Sequence, residues 1–436
     1  MDKRALLEIM SDYNYWGSFG KPLFERKEYQ ALLDKSLEAS TICIVKGVRR
    51  AGKSSAIFKY IESIGRTKNA LMLNLEDPRL PQDLDSGFLM DALDAYSAAI
   101  NPRGPSLVVI DEAQHAKGWE RFARYLVEAK GIKCIVTGSS AALLSEEYAT
   151  TITGRHIDIE MFPLSFEEFL SFRGIGASSE LNMVKNRYRI RHALEEYITY
   201  GGFPEVVISN DKRVKTELLR NYFNDILIKD IARRYKIKLY GQLEAIAKDY
   251  LSNIGSRLSL RSISESYNIG LHTVERFSQY MSNAYLLFYV SRFNFSKRAQ
   301  GRSIKKVYTI DNGLYSTLGF RFMEQRDKLM ENLVAIKLMV NVSRRRSIEV
   351  YYWQDSLQRE VDFVVKDGER VKQLVQVSYD ISAKETMRRE VGALLRASKE
   401  LRCNSLLIIT WDYENEIKES GKRIRCVPLW RWLLEP

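Results

Sequence analysis

Residues 42–57, which read ICIVKGVRRAGKSSAI, constrain the fold of this 436-residue chain more than any other stretch. They contain the phosphate-loop pattern G-x-x-x-x-G-K-[ST] between an apolar, β-branched run and a helix-compatible segment. In that setting the loop N–H groups and the helix N-terminus bind a β-phosphate, the lysine reaches the β and γ oxygens, and the serine hydroxyl ligates Mg²⁺. The segment therefore predicts a site for ATP and Mg²⁺. The residues of this predicted nucleotide site are Gly47, Arg49, Arg50, Ala51, Gly52, Lys53, Ser54 and Ser55.

The loop lies within a repeating pattern of apolar runs and helical segments. Five runs have the length and composition of buried strands: 41–45, 70–75, 106–110, 132–137 and 156–161. Helical patterns separate them, as at 54–63 and 119–129. This alternation predicts parallel βαβ units with right-handed crossovers, and therefore a three-layer α/β domain. Ligands of such sheets bind at the carboxyl ends of the strands.

A second motif, LVVIDEAQ at 107–114, places two acids at the end of an apolar run. Asp111 is positioned to hold Mg²⁺, often through water, and Glu112 to orient or deprotonate the attacking water. Adjacent acids also occur at ordinary exit turns, but a phosphate loop upstream at this spacing favours the chemical interpretation. Lys53, Ser54, Asp111 and Glu112 are thus predicted to form one site that hydrolyses a nucleoside triphosphate.

Two further polar positions are catalytic candidates with structural alternatives. The run CIVTGSS ends in Thr137, Ser139 and Ser140, where a hydroxyl could contact the γ-phosphate or the attacking water. The alternative is a turn that caps the next predicted helix, 141–147. Arg155 precedes the fifth strand and is a candidate sensing or finger arginine, acting in cis or across a subunit interface. The alternative for Arg155 is an ordinary surface ion pair.

Residues 241–310 combine a helix–turn–helix pattern with an excess of positive charge. The stretch from Leu260 reads as helix, short turn, second helix and strand, and no acid occurs between Phe277 and Ile310. Together with the formal net charge of +12, this predicts a nucleic-acid partner bound mainly through its phosphates, with DNA favoured over RNA. The alternative is a protein-interaction domain or a rigid spacer. The predicted contacts are Lys297, Arg298, Arg302, Lys305 and Lys306, with Phe293 and Phe295 as interleaved aromatics.

The C-terminal part contains acids in a pattern used by restriction-type nucleases. Such enzymes place an acid on a helix, an Asp on one strand and Glu-x-Lys on the next strand to hold Mg²⁺ and activate water. Glu331 and Asp362 match the first two places and form a possible second metal site. Gln376 and Ser378 stand where the pattern requires Glu and Lys. Without that lysine, a structural or binding role is favoured over a nuclease.

These motifs together carry a family resemblance. GVRRAGKSS, VVIDEAQ, VTGSSAALLSEE, TGRHIDIEMFPLSFEEFL and YGGFPEVV, followed by YFNDILIKDIARRY, EVDFVV and LVQVSYD, resemble archaeal and bacterial AAA-type ATPases with a C-terminal domain of unknown function. The resemblance implies an AAA+ core, a winged-helix region and a C-terminal module similar to restriction-endonuclease folds. By motif, it implies nucleotide roles for Gly47, Gly52, Lys53, Ser54, Asp111, Glu112 and Ser139.

The predicted architecture is an α/β chain of four parts. These are a three-layer P-loop ATPase core (1–175), a helical lid or linker (176–240), a winged helix (241–310) and a degenerate endonuclease-like α/β domain (311–436). The four cysteines lack C-x-x-C spacing, which predicts core residues in a reduced compartment. No run approaches 18 apolar residues and no signal-peptide pattern opens the chain. We therefore expect a cytoplasmic protein without membrane contact.

The predicted function is a Mg²⁺-dependent ATPase that couples its nucleotide cycle to action on DNA or RNA. A protein that used Arg155 in trans would also form a homo-oligomer. One alternative is a signalling switch, in which ATP binding controls protein partners. A second alternative is a metal-dependent nuclease.

Overall fold

The structure is a computed structural model that describes residues 2–20, 23–39, 41–139, 152, 154–319 and 325–435. The chain divides into two compact units, Met1–Met161 and Phe162–Pro436, which we describe separately. The predicted helix at 141–147 and Ser140 lie outside the described residues. The four-part division remains a prediction.

The described strands of the first unit are β1 Ile42–Lys46, β2 Ala70–Asn74, β3 Leu84–Asp85, β4 Leu107–Asp111, β5 Ala116–Lys117, β6 Lys133–Gly138 and β7 His156–Glu160. Five of them form a parallel sheet of order β2-β4-β6-β1-β7. A separate two-stranded parallel pair joins β3 and β5. All five predicted strands and their parallel arrangement are confirmed. The order places β6 between the phosphate-loop strand β1 and the acid-bearing strand β4.

Helices cover both faces of this sheet. They lie at Lys3–Ser11, Lys27–Glu38, Lys53–Ser63, Ser86–Ala99 and Trp119–Arg124, with a 3-10 turn at Ala113–His115 and a π-helical turn at Tyr125–Ala129. Along β1, Ile42 and Ile44 pack into one apolar core, whereas Cys43 and Val45 pack into another. Because successive strand residues point to opposite faces, the two cores lie on opposite sides of the sheet. The predicted three-layer arrangement is therefore confirmed.

The second unit begins with helices and continues into a mixed sheet. Its helices lie at Phe166–Phe172, Glu180–Lys185, Arg187–Tyr200, Pro204–Ile208, Lys212–Asp225, Ile226–Arg233 (π-helical), Tyr240–Ser252, Leu260–Ser266, Leu271–Asn283, Lys297–Arg302, Asn312–Leu318, Arg326–Arg344, Lys384–Leu401 and Leu429–Leu434. The expected cap at Ser165 is confirmed, since its hydroxyl accepts from the Glu168 N–H while the Glu168 carboxylate accepts from the Ser165 N–H.

The described strands of the second unit are β8 Arg257–Leu258, β9 Leu287–Arg292, β10 Lys305–Thr309, β11 Ile348–Gln354, β12 Glu360–Asp367, β13 Arg370–Val377, β14 Leu406–Thr410, β15 Asn415–Glu419 and β16 Lys422–Pro428. They form one sheet in the order β15-β16-β14-β13-β12-β11-β9-β10-β8. The predicted order of helix, turn, helix and strand is confirmed at 260–292. Strands β9 and β11 pair in parallel, so the strands after these helices share one sheet with the C-terminal strands.

The four cysteines are buried, and none forms a disulfide. Burial raises the pKa of the Cys43 thiol to about 12, as expected for an unreactive core residue. Over the ranges that the structure describes, no helix is both long enough and apolar enough to cross a membrane.

Candidate active site

The phosphate loop joins β1 to the helix Lys53–Ser63, and both of its glycines are required by geometry. Gly47 has a φ of 152°, and a Cβ at this position would lie 2.0 Å from the Met161 carbonyl oxygen. Gly52 has a φ of 91° and immediately precedes the helix. Both angles are favoured only by glycine. Arg50 also adopts a left-handed conformation, with a φ of 68°, and its side chain is exposed.

Lys53 is the first residue of the helix, and its side chain is buried inside the curve of the loop. Its Nζ donates to the carbonyl oxygens of Gly47 at 2.9 Å and Val48 at 3.2 Å. The same ammonium lies 4.0 Å from Oε1 of Glu112. A cation and the positive end of a helix dipole therefore occupy the same small volume, which suits a bound polyphosphate.

Ser54 and Asp111 face each other at the centre of the site. The Ser54 hydroxyl lies 2.8 and 3.0 Å from the two carboxylate oxygens of Asp111. Thr137, near the end of β6, donates its hydroxyl to Oδ1 of Asp111 at 2.5 Å. Burial, and then the charge of neighbouring Glu112, raise the pKa of Asp111 to about 6, although the hydroxyls of Thr137 and Ser54 oppose that shift.

These side chains fit a magnesium ion that is shared with a nucleotide. Ser54 and Asp111 provide two adjacent hard oxygen donors, and Mg²⁺ characteristically takes one or two protein ligands and completes its shell with water and phosphate oxygens. A divalent cation beside Asp111 would also favour its ionised form, against the effect of burial. Within the described ranges no group of three or more Asp, Glu, His or Cys side chains is arranged to hold a metal ion.

Glu112 follows Asp111 in a left-handed conformation, with a φ of 56°, and its carboxylate is fixed. Its Oε2 accepts from the Gln114 side-chain amide at 2.6 Å and from the Ser139 N–H at 3.2 Å. The Glu112 N–H donates to the Thr137 hydroxyl at 3.0 Å. The carboxylate therefore points toward the lysine side of the site, where it can accept a proton from water. The structure brings Ser139 to the site, and this contact uses its main chain.

Arg49 is anchored to a residue that was not predicted from the sequence. Its Nη1 donates to Oε1 of Glu76 at 2.9 Å, and His115 Nε2 lies 3.7 Å from the same oxygen. The nearby His115 ring and the guanidinium of Arg49 lower the pKa of Glu76 to about 2, against the effect of its burial. Glu76 follows the end of β2, at the same edge of the sheet as Asp111. An acid directly after a predicted strand could therefore have indicated this residue from the sequence.

Ala51 and Ser55 occupy contrasting positions around the loop. Ala51 is buried, and its carbonyl oxygen accepts from Nη1 of Arg26 at 3.0 Å. Arg26 is itself buried over the ring of Tyr29, 4.5 Å from the ring centroid. Its role as a support for the loop was missed, because nothing in its local sequence marks it. Ser55 is exposed on the helix that follows the loop.

The structure does not bring Arg155 to the site. It lies just before β7, and its carbonyl oxygen accepts from the N–H of Ile42, the first residue of β1. The five residues of β1 span about 16 Å, so the loop begins at the opposite edge of the sheet. The Arg155 guanidinium pairs with Glu128 at 2.8 Å. Arg155 therefore lies apart from the other site residues, and its role as a sensing or finger arginine, in cis or in trans, stays a prediction.

The second unit brings Glu331 and Asp362 together around a lysine. Lys306 is 2% exposed, and its Nζ lies 2.9 Å from Glu331, 2.7 Å from Glu360 and 3.2 Å from Asp362. Tyr308 donates its hydroxyl to Glu331 at 2.6 Å. Burial raises the pKa of Glu331 to about 7, although the ammonium of Lys306 opposes this shift. Lys306 is therefore a buried ion-pair partner and does not lie on the expected basic surface.

The other four basic residues of that expected surface are exposed. None of them forms an ion pair within the part of the chain that the structure describes. They are Lys297, Arg298, Arg302 and Lys305. At the third position of the nuclease pattern, the Gln376 side-chain oxygen accepts from the Asp362 N–H at 3.3 Å.

Three family models match consecutive parts of the chain. Residues 39–170 match the model described as an AAA domain. Residues 191–325 and 326–432 match two domains of unknown function, DUF8612 and DUF4143. The third match begins at the first residue of helix Arg326–Arg344, although the sheet of the second unit continues across that boundary.

Similar proteins extend over nearly the whole chain. An uncharacterized protein of Methanocaldococcus jannaschii is 29% identical over 417 residues, which cover 92% of this chain and 90% of that protein. An uncharacterized protein of Haemophilus influenzae is 27% identical over 430 residues, with 95% and 100% covered.

Among solved structures, a Walker-type ATPase of Pyrococcus abyssi aligns with a TM-score of 0.44 at 15% identity, covering 68% of this chain and 98% of that one. AMPPCP-bound DnaA from Aquifex aeolicus aligns with a TM-score of 0.24 at 14% identity, covering 62% and 91%. Neither TM-score is high enough to bear on function. Residues 39–170 are thus similar in sequence to AAA domains, and their described part contains a parallel sheet, a phosphate loop and a pair of adjacent acids.

Proposed function

We propose that this protein hydrolyses ATP with Mg²⁺ and couples the nucleotide cycle to action on nucleic acid through its second unit. One observation carries the hydrolytic part: the Ser54 hydroxyl and the Asp111 carboxylate lie within 3.0 Å of each other, beside both Lys53 and Glu112. A metal-binding pair, a phosphate-binding cation and a base are therefore assembled in one place.

Each residue of this chain has a separate task in the reaction. Lys53 neutralises negative charge on the β and γ oxygens as the bond to the leaving group breaks. Glu112 orients the water that attacks the γ-phosphorus and accepts its proton, while Gln114 and Ser139 hold the carboxylate in place. The magnesium ion, held through Ser54 and Asp111, would supply charge stabilisation and orientation of the phosphates. Thr137 keeps Asp111 directed at this position.

The proposed partner is a nucleic acid because exposed cations are concentrated in one acid-free stretch. Residues 276–310 contain no Asp or Glu. Lys297, Arg298, Arg302 and Lys305 are exposed cations of this stretch that form no ion pair within the described residues, although the charge of Lys297 acts on the Glu349 carboxylate. They therefore remain available to phosphates. Lys306 is excluded from this set by its burial. Each phosphate contact would release counterions, which makes the binding sensitive to salt.

For the cluster around Lys306 we propose a structural role and not nuclease chemistry. Lys306, on β10, does place an ammonium beside these acids, but that ammonium forms ion pairs with three carboxylates. Such a buried network fixes the packing of helix Arg326–Arg344 against the sheet. Metal-dependent cleavage of DNA or RNA that disappears in Asp362→Ala would contradict this assignment.

The decisive comparison is ATP turnover of the wild type with that of Lys53→Ala. We expect turnover to fall to background in Lys53→Ala and to stay unchanged in Lys59→Ala, which removes a lysine from the outer part of the same helix. Normal hydrolysis by Lys53→Ala would overturn the assignment. The same assay with a panel of DNA and RNA tests the partner. Slow turnover that ignores nucleic acid would favour a switch acting on protein partners.

A further inference from the structure

An exposed aromatic side chain lies directly before the basic residues of the second unit. Phe295 is 77% exposed, although Phe293, two residues earlier, is 9% exposed and packs in a core. The two rings meet edge to face, with centroids 5.4 Å apart, and Phe293 in turn contacts Tyr351 at 5.7 Å. The Phe295 ring thus contacts the buried ring of Phe293 while most of its surface faces solvent.

The main chain around Phe295 is held by its neighbours. The Asn294 side-chain oxygen accepts from the Ser296 N–H at 2.9 Å, and the Gln300 side-chain amide donates to the Asn294 carbonyl at 2.5 Å. The Ser296 hydroxyl accepts from the Ala299 N–H at 3.4 Å and caps the short helix Lys297–Arg302. An exposed ring on a restrained loop loses little conformational entropy when it binds a planar partner.

Basic residues follow this ring closely in the sequence, and one of them, Lys297, interacts electrostatically with Glu349. Lys297 and Arg298 follow Phe295 within three residues, and Arg298 and Arg302 share one side of the short helix because they are four residues apart. Lys305 begins β10 immediately afterwards and is exposed. A lone exposed phenylalanine requires no explanation. An exposed ring among cations that form no ion pair in the described residues, in a stretch of sequence without acids, matches a ligand that is both flat and anionic.

We infer that Phe295 stacks on an unpaired base of a single-stranded nucleic acid whose phosphates contact Lys297, Arg298, Arg302 and Lys305. This inference rests on the proposed nucleic-acid partner and specifies its class. Bases of a duplex are stacked on each other and their faces are not accessible, whereas every base in a single strand offers a π-face. Stacking on a ring tolerates any sequence and occurs in DNA and RNA alike.

The test is fluorescence anisotropy at low salt with a 20-nucleotide single strand in DNA and RNA forms, and with the same DNA strand annealed to its complement as a blunt-ended duplex. Phe295→Ala should weaken single-strand binding by roughly 5- to 150-fold, the range measured for loss of one stacked base. Phe295→Trp should retain the affinity. Leu181→Ala, which shortens an exposed apolar side chain of a different helix, should have no effect. Lys305→Gln should lower the salt dependence, by about 0.7 in the log–log slope.

The outcomes separate the inference from the function on which it rests. If the wild type binds neither single strands nor duplex at low salt, the nucleic-acid partner itself is refuted. If it binds single strands and Phe295→Ala binds them equally well, the stacking role is refuted while the partner stands. Equal loss of duplex and single-strand binding in Phe295→Ala also refutes stacking. Binding to anionic lipid vesicles in place of oligonucleotides would assign the surface to a membrane and overturn the inference.

Discussion

Replacement of Lys306 by methionine should destabilise the second unit strongly, and the loss should depend on pH. The ammonium lies within 3.2 Å of three carboxylates, and the lysine is almost fully buried. Methionine fills a similar volume but leaves those carboxylates without a counter-charge. Removal of one partner from a buried ion pair costs about 3–5 kcal/mol, and we expect a loss of unfolding free energy in that range at pH 8.

The pH dependence follows from the pKa of Glu331. Its value of about 7 in the folded chain lies above the value of about 4.3 for an unperturbed glutamate, so ionisation of Glu331 costs stability. Protonated Glu331 therefore stabilises the folded chain, fully so below the unfolded pKa of about 4.3, and this stabilisation is lost as the pH rises through the folded pKa of about 7. Without the ammonium the ionised carboxylates repel one another more. The loss in Lys306→Met should therefore be smaller at pH 5 than at pH 8.

Urea unfolding followed by tryptophan fluorescence reports on this change, because four of the six tryptophans lie in the second unit. Lys305→Met is a matched control: it changes the adjacent, exposed lysine and should alter stability by no more than about 0.5 kcal/mol. Adding Glu331→Gln and Asp362→Asn to Lys306→Met should recover most of the loss. A loss below about 1 kcal/mol at pH 8, or an equal loss at both pH values, would refute the reasoning.

Three further predictions concern the first unit. Asp111→Asn removes a buried carboxyl group whose pKa is raised to about 6, so in the wild type without Mg²⁺ its ionisation destabilises the fold at high pH. Urea unfolding should therefore show Asp111→Asn to be more stable than the wild type by up to about 3 kcal/mol at pH 8 and no more stable at pH 4. Gly47→Ala places a Cβ 2.0 Å from a main-chain oxygen and should abolish binding of a fluorescent ATP analogue, whereas Gly241→Ala, in open space, should not. Arg49→Ala and Glu76→Gln each break the same ion pair, so their effects on ATP turnover should be non-additive, with a coupling of about 1 kcal/mol in a double-mutant cycle. Strictly additive effects would show that this ion pair has no role in turnover.

The elements of the first unit were predictable because their signals are local. A β-branched run with a phosphate loop directly after it specifies a strand, a turn and a helix within 16 residues. The positions of Lys53 and Ser54 in the site are predicted by the spacing of the phosphate-loop motif alone. The hydrogen bond from Thr137 to Asp111 depends on which strand lies between β1 and β4, and strand order is a property of the whole sheet. Arg26 and Glu76 contact the loop from other segments of the chain, so their contacts likewise depend on the tertiary fold and could not be predicted from local sequence.

The misplacement of Lys306 has a simple geometric cause. Lys305 and Lys306 are adjacent in β10, so their side chains point to opposite faces of the sheet, and one is exposed while the other is buried. Two identical neighbours carry no information about which of them faces inward. Only the register of β10 with β9 and the approach of Glu331 decide it.

The distance of Arg155 from the phosphate loop follows from its place in the sequence. It precedes its strand, whereas ligands of a parallel sheet bind where the strands end. A residue that directly precedes β7 therefore lies at the edge of the sheet opposite to the phosphate loop.

The measurement that tests the central claim most directly is ATP turnover by Glu112→Gln, together with ATP binding. Glutamine can still accept from Gln114 and the Ser139 N–H, but it cannot take a proton from water. We expect ATP affinity close to that of the wild type and a turnover rate about 10²- to 10⁴-fold lower, with uncleaved ATP retained on the protein. Hydrolysis by Glu112→Gln at the wild-type rate would contradict the assignment of this site.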